Sequence, residues 1–236
     1  MDSIGEKRAG GKSGVGVLDK AVGILSLLAE GGPATLAGVV LGTGLARPTA
    51  YRLLTALEAH GLVAREDGRY GLGLRLLSWG GGAGGSALIG AAAPLLASLR
   101  DRTGESTQLY VREGGHRVCV ASVERTGGGL RDAVPVGAVL PLGQGSGGKV
   151  LLAWSETDEG ATAEMREVRS RGWAESVAER ESGVASVSAP VFGPDGGLRA
   201  AVCASGPVSR LGEHPGERLA GMVVEAAREI EESQGR

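Results

Sequence analysis

Apolar residues recur at helical spacing over roughly the first sixty positions of the chain. The spacing that starts at Leu18 predicts a first helix of about thirteen residues ending at Gly31. Thr35 is a suitable N-cap for a second, short helix, and Pro48 suits the first turn of a third, because its missing N–H needs no partner there. Two short helices joined by a tight glycine-containing turn are typical of a helix-turn-helix.

A β-hairpin is predicted directly after the third helix. Short apolar runs flank Glu66-Asp67-Gly68-Arg69, and Asp-Gly between such runs is a strong hairpin signal. Placed behind a helix-turn-helix, this hairpin is interpreted as a wing. Residues 14–75 are therefore predicted to form a winged helix-turn-helix, preceded by a flexible tail at 1–13.

The segment at 76–88 is predicted to be a linker. Leu74 and Leu76 begin a helical pattern, but the glycine-rich stretch at 80–85 is expected to break it. A new helix is predicted at 86–103. The domain boundary is placed within this segment.

Residues 89–236 are predicted to form a second, α+β domain. The predicted extended segments are 108–112, 118–122, 134–142, 173–178, 184–192 and 198–205, and the predicted helices are 146–154, 158–171 and 215–233. Turn residues between the runs favour an antiparallel sheet, with helices expected on one side of it.

Composition describes an ordinary soluble globular protein. The chain has 236 residues, of which 42% are apolar and 22% charged, with a net charge of -2. Residues 1–75 hold nine Lys and Arg against seven Asp and Glu, so the slightly basic end is the N-terminal one. The longest weakly polar run, 87–99, is too short to span a bilayer, and no signal peptide is visible. A cytoplasmic protein is expected.

Few residues are available for catalysis or metal binding. Cys119 and Cys203 lie far apart in sequence without a neighbouring metal-ligand motif, and three histidines stand in unrelated segments: His60, His116 and His214. An enzyme, a metal site and a cofactor are therefore not predicted. The alternative function is a thiol-based redox sensor that uses Cys119 and Cys203. Both cysteines fall on predicted strands, so their thiols could be neighbours in the fold.

Polar residues at the start of the third helix are the candidate DNA readers, since this part of a helix-turn-helix enters the major groove. Periodicity leaves Arg47, Thr49, Tyr51 and Arg52 opposite the apolar stripe of that helix. Arg65 and Arg69 on the wing are expected to grip the DNA backbone. The alternative is a solvated face on a helix-turn-helix used for dimerisation or protein docking.

Several segments of the chain resemble IclR-type transcriptional regulators. In the N-terminal part they are GVGVLDKAV at 14–22, TGLARPTAYRLLTALE at 43–58 and YGLG at 70–73. Further along they are LPL at 140–142, SGGKVLLA at 146–153, GWA at 172–174 with Glu179, GVASVSAPV at 183–191 and AAVCASGP at 200–207. The segments 131–137 and 183–191 are also similar to the actinobacterial NdgR/AreB-type members, which act on amino-acid biosynthesis genes.

The resemblance implies an operator-binding homodimer or dimer of dimers with a GAF-like effector domain. It places a small carboxylate at Ser146-Gly147, where a helix start supplies free N–H groups. The other pocket positions it implies are Ser176, Ser186, Cys203 and Ser205. The alternative is that Ser186, Cys203 and Ser205 fill a sheet core and hydrogen-bond the backbone, and without the resemblance this interpretation is the favoured one. Members that sense small 2-oxo acids have an acidic residue near position 176, so a different or less polar effector is expected here.

Overall fold

The computed structural model describes residues 13–82, 86–127 and 134–234. Contacts divide the chain into two compact units, Met1–Gly84 and Gly85–Arg236, which are called the N-terminal and C-terminal units below. Most of the predicted tail, the linker residues 83–85 and residues 131–133 of the subgroup motif lie outside the described residues.

The N-terminal unit combines helices with a small antiparallel sheet. Its elements are α1 (Gly16–Gly31), β1 (Ala34–Thr35), α2 (Leu36–Thr43), α3 (Arg47–Ala59), β2 (Val63–Glu66), β3 (Arg69–Leu72) and α4 (Arg75–Gly82). The sheet has the order β1-β3-β2. The predicted three helices and hairpin are confirmed, whereas the two-residue strand β1 was not predicted.

Local sequence accounts for the boundaries of these elements. The Thr35 hydroxyl accepts a hydrogen bond from the backbone N–H three residues later, so the predicted N-cap of α2 is confirmed. Gly44 ends α2 in the left-handed conformation, and Pro48 lies in the first turn of α3. Asp67 and Gly68 both have positive φ, at 50° and 76°, as a type I′ hairpin turn requires.

One apolar core holds the N-terminal unit together. It is formed by one face of each of the first three helices and by the inner face of the hairpin. Its buried members are Ile24, Leu28, Val39, Ala50, Leu54, Leu57, Val63 and Tyr70. Five of them, all except Ile24 among the helical members, belong to the apolar patterns from which the helices were predicted.

The structure describes only the first half of the glycine-rich stretch at 80–85, where a helix break is predicted. Helix α4 runs on through Gly80, Gly81 and Gly82 before the described segment ends. A glycine costs a helix about 1 kcal/mol relative to alanine, which weakens the helix without forbidding it. Residues 83–85 lie outside the described part of the chain.

The C-terminal unit is built on a six-stranded antiparallel sheet. Its strands are β4 (Ser106–Glu113), β5 (His116–Val123), β6 (Val139–Pro141), β7 (Ala174–Val177), β8 (Val184–Phe192) and β9 (Leu198–Pro207), in the order β6-β5-β4-β9-β8-β7. Its helices are α5 (Ser86–Thr103), α6 (Ser146–Ala153), α7 (Ala163–Arg171), α8 (Val208–Leu211) and α9 (Pro215–Ser233).

Helices cover both faces of this sheet, so the expectation of helices on one side is wrong. Helices α5 and α9 pack on one face, where Val202 of β9 is buried. Helices α6 and α7 lie on the other face, where Ala201 and Cys203 of the same strand are buried. A strand buried on both faces loses the apolar and polar alternation that would have revealed its environment.

Two segments are shorter in the structure than the sequence predicts. Helix α7 starts only at Ala163, because Thr162 caps it by accepting a hydrogen bond from the Met165 N–H at 3.2 Å. The extended segment predicted at 134–142 forms a strand only over Val139–Pro141. Within the described residues, each helix falls short of the length or the apolar character needed to cross a bilayer.

Candidate functional site

The first turns of α3 present polar side chains to solvent. Arg47 and Arg52 are exposed, Tyr51 is 51% exposed, and Thr49 is half-buried. Within the described residues, no hydrogen bond or ion pair holds Arg47, Tyr51 or Arg52. The opposite side of the helix is buried through Ala50, Leu54 and Leu57. The predicted separation of a packing face and an outward polar face is therefore present.

The two wing arginines differ in what they contact. The Arg65 guanidinium lies over the Tyr70 ring, 5.3 Å from its centroid, and is otherwise exposed. Arg69 donates through Nε and a terminal nitrogen to the carbonyl of Pro33, at 3.2 and 2.9 Å. Arg69 thus ties the wing to the segment before β1, a structural role that the sequence did not reveal.

All six residues predicted for the effector pocket line one cavity in the C-terminal unit. They are Ser146, Gly147, Ser176, Ser186, Cys203 and Ser205, and the wall is completed by Tyr110, Arg117, Gly145, Arg180, Glu181 and Val184. The space open to the centre of a water molecule is only about 20 Å³. That is room for a water molecule but not for an organic ligand, so a ligand has to displace wall side chains.

A cluster of hydroxyl groups forms part of the cavity wall. Ser146 is the first residue of α6, and its hydroxyl donates to Ser186 Oγ at 2.7 Å. Ser188 Oγ lies 2.8 Å from the same atom, and the Cys203 thiol lies at 3.9 Å. The cluster joins α6 to strands β8 and β9, so these small residues are hydrogen-bonded to one another.

The start of α6 carries electrostatic features that favour negative charge. The Gly145 N–H donates to Glu179 Oε2 at 3.1 Å, and Lys149 lies 2.5 Å from the other oxygen of that carboxylate. Burial lowers the pKa of Lys149, but hydrogen bonds to Glu179 and Glu164 outweigh it and raise the pKa overall. A carboxylate of the chain itself therefore already uses part of the anion-binding capacity of this helix end.

Arg117 is a cavity residue that the sequence analysis missed. It is only 3% exposed, and its guanidinium donates to the carbonyls of Pro141 and Gln144 while lying 5.1 Å from the Tyr110 ring centroid. A buried guanidinium beside a helix start adds positive charge where an anion would bind. Its position in β5 offered a signal, because Arg117 shares the inward phase of that strand with Cys119.

Gln108 is the second residue that sequence reasoning missed. It lies on β4, is fully buried, and its side-chain oxygen accepts a hydrogen bond from Ser205 Oγ at 3.1 Å. Its side-chain nitrogen has no hydrogen-bond partner among the described residues. Nothing in the sequence distinguished it from other polar strand residues.

The two cysteines are both buried and both free. Burial, followed by the proximity of Cys203, raises the pKa of the Cys119 thiol to about 12. A thiol with such a pKa is almost fully protonated at neutral pH, whereas reactive cysteines are exposed and have a lowered pKa.

In the part of the chain that the structure describes, no group of acidic, histidine and cysteine side chains is arranged to hold a metal ion.

Comparison with known families matches both units. The IclR helix-turn-helix domain matches residues 17–67. The Bacterial transcriptional regulator IclR C-terminal domain matches residues 84–163 and 157–232. Together the two matches cover most of the chain.

Individual relatives agree with these domain matches. The chain is 34% identical to the glycerol operon regulatory protein of Streptomyces griseus over 218 residues, which cover 82% of the chain and 85% of that protein. It is 28% identical over 253 residues to the HTH-type transcriptional regulator BhcR of Paracoccus denitrificans, covering 94% and 90%. The fold matches the structure of an IclR homolog complexed with 4-hydroxybenzoate from Microbacterium hydrocarbonoxydans, with a TM-score of 0.75, 21% identity, and coverage of 93% and 99%.

Proposed function

The chain belongs to the IclR family of DNA-binding transcriptional regulators, and on this premise we propose that α3 and the wing read an operator while the C-terminal cavity senses a small acid. The observation that carries the proposal is the outward face of α3, where the side chains of Arg47, Tyr51 and Arg52 form no hydrogen bond or ion pair with the described residues. In a helix-turn-helix, exposed side chains at the start of the second helix contact phosphates and base edges in the major groove.

A gel shift on the gene's own upstream region, with salt and random DNA titrated, tests operator binding. Arg47→Ala and Arg52→Ala are each expected to weaken specific binding by about tenfold or more. Arg228→Ala on α9 is the matched control, because it removes one exposed arginine from the other unit. Unchanged binding by both α3 variants, or binding that random DNA abolishes, would contradict the proposal.

The effector part of the proposal is supported by the chemistry of the cavity wall. A helix start, a buried guanidinium and a set of hydroxyls favour a small anionic ligand that also forms hydrogen bonds. The IclR homolog from Microbacterium hydrocarbonoxydans is complexed with such an acid, 4-hydroxybenzoate. Binding of this kind raises the melting temperature at saturating ligand, and an acid panel that leaves it unmoved would contradict the effector role.

We further propose that the protein is at least a homodimer. Helix α1 and its N-cap residue Val15 expose an apolar stripe of Val15, Leu18 and Val22, each more than half exposed, and a second copy of the chain would cover it. Light scattering at micromolar concentration tests this, and a monomer mass would refute it. A dimer of dimers is distinguished by the same measurement.

The regulated genes remain a proposal that rests on the subgroup resemblance. Amino-acid biosynthesis genes are the first targets to test, by the same gel shift on leucine-biosynthesis promoters. A thiol-based redox sensor is the second candidate function, because Cys203 lies close enough to influence the Cys119 pKa. The raised pKa and the burial of Cys119 weigh against it.

A further inference from the structure

The side-chain nitrogen of Gln108 is a buried donor near the cavity, and it lacks a hydrogen-bond partner among the described residues. The residue is 0% exposed, and its oxygen already accepts a hydrogen bond from Ser205. Exchanging the amide nitrogen and oxygen would not help, since one polar atom would still lack a partner. A buried amide donor without an acceptor is costly, so its presence calls for an acceptor that arrives from outside the chain.

The position of Gln108 links this amide to the cavity. Alternation along β4 puts Gln108 on the same face of the sheet as Tyr110, which lines the cavity. Across the ladder Gln108 pairs with Cys203, another wall residue, and its hydrogen-bond partner Ser205 is a third. The amide therefore lies directly behind the part of the wall that β9 supplies.

The start of α6 lies a short distance away along the same wall. Ser146 on α6 donates to Ser186 on β8, and Ser186 pairs with Ser205 in the ladder of β8 and β9. Side chains of directly paired residues are about 5 Å apart. A small molecule that displaces wall side chains would therefore be able to meet both the anion-favouring helix start and the Gln108 amide.

Resting on the proposed effector pocket, we propose that Gln108 selects the effector: the pocket takes a carboxylic acid with a second oxygen, hydroxyl or carbonyl, that accepts from the Gln108 nitrogen. An acid without that oxygen leaves the buried amide unpaired. Sites built to hydrogen-bond a ligand group reject analogues that lack the group far more strongly than apolar sites reject a missing methylene.

Gln108 is better suited to this selection than the neighbouring serines. Hydroxyls donate and accept, and they rotate to suit their partner, so the Ser146 cluster satisfies itself with or without a ligand. The amide nitrogen only donates, and it has no alternative partner among the described residues. A ligand that displaces the contents of the cavity therefore has to supply the acceptor itself.

Calorimetric titration of the full-length protein with matched acid pairs tests the inference. The pairs differ in one oxygen each: lactate and propionate, malate and succinate, 4-hydroxybenzoate and benzoate. In at least one pair the wild type is expected to bind the oxygenated acid about tenfold or more tightly. In Gln108→Leu that preference is expected to fall to within about twofold, through weaker binding of the oxygenated acid alone.

Two further variants keep the test decisive. Gln108→Met preserves length without a donor and replaces the leucine variant if that one does not fold. Thr107→Val is the matched control, because Thr107 is the neighbouring buried polar residue, bonds the Leu96 carbonyl at 2.8 Å, and points to the opposite face of the sheet. It is expected to keep the wild-type preference.

Equal binding of both acids in every pair by the wild type, or a preference that survives in Gln108→Leu and Gln108→Met, would overturn the inference and leave the proposed effector pocket intact. If no acid binds the wild type, the effector part of the proposed function fails together with it. Operator binding is measured separately by gel shift, so the DNA-reading part is judged on its own.

Discussion

The outward face of α3 and the cavity of the C-terminal unit are both polar, but they are built in opposite ways. The α3 face lies on one helix, and the Arg47 and Arg52 side chains form no hydrogen bond or ion pair with the described residues. The cavity takes its wall from residues on α6 and on several strands, and its serines hydrogen-bond one another in a buried setting. A surface that binds a large partner can be formed by residues that are close together in sequence. A site that encloses a small molecule is formed by residues that only the complete fold brings together.

Gly148→Ala tests how tightly the cavity wall is packed. In Gly148→Ala the new Cβ would lie 2.0 Å from the Leu142 carbonyl oxygen and 2.6 Å from an Arg117 nitrogen. Overpacking of this kind is expected to lower the unfolding free energy of the C-terminal unit by about 3 kcal/mol. Denaturant unfolding measures it.

Gly143→Ala is the control, since a Cβ there meets nothing within 4 Å. Equal stability of the two variants would show that the loop before α6 yields to a larger side chain, contrary to a rigid cavity wall.

The next largest effect concerns the buried thiols. Because burial raises the Cys119 pKa to about 12, native protein at pH 8 is expected to react with an alkylating reagent about a hundredfold more slowly than unfolded protein. The rate should rise with pH, since the folded thiol ionises only as pH approaches its raised pKa.

The same pKa predicts how stability depends on pH. A thiol whose pKa is raised by folding contributes stability that is complete below about pH 9 and is lost as pH rises toward about 12. Fast alkylation of the native protein at pH 8, together with altered operator binding after oxidation, would instead support the hypothesis of a thiol-based redox sensor.

A smaller effect is expected for Arg65→Ala on the wing. The exposed guanidinium is positioned for a phosphate, so operator affinity should fall by about tenfold, and the salt dependence should lose about one phosphate contact. Gel shifts at several salt concentrations measure both. A loss confined to one operator sequence would indicate base reading rather than backbone contact.

The smallest effect separates the two wing arginines. Arg69→Ala removes the hydrogen bonds to the Pro33 carbonyl and is expected to lower the unfolding free energy of the N-terminal unit by about 1 kcal/mol. Arg65→Ala is the comparison variant and should lower that free energy by less, about 0.5 kcal/mol, because it removes only the contact with the Tyr70 ring. If both variants unfold alike, Arg69 has no special anchoring role.

The sequence predicted the N-terminal unit better than the cavity, for a physical reason. Helical spacing, the Thr35 cap and the Asp67-Gly68 turn are local signals, and each is confirmed. Strands buried on both faces carry no alternation, so helices on the second face were missed. Residues far apart in sequence surround the cavity, and its serines were named only through the family resemblance.

Arg117 and Gln108 could not be assigned to the cavity from their positions in the sequence alone. Each is polar within a strand, and only the folded packing around them puts Arg117 in the cavity wall and Gln108 directly behind it. The DNA-reading roles of the α3 and wing residues and the effector roles of the six cavity residues stay predictions until binding is measured.

The small side chains of the central strands bear on how this family could evolve new ligands. Strands β8 and β9 are made mainly of alanine, valine and serine, and nearly all are buried. With helices on both faces, a larger residue has nowhere to go. New specificity therefore has to arise by exchanging atoms of similar size, such as a hydroxyl for a methyl or a thiol, so neighbouring ligand preferences lie one nucleotide change apart while the scaffold stays constant.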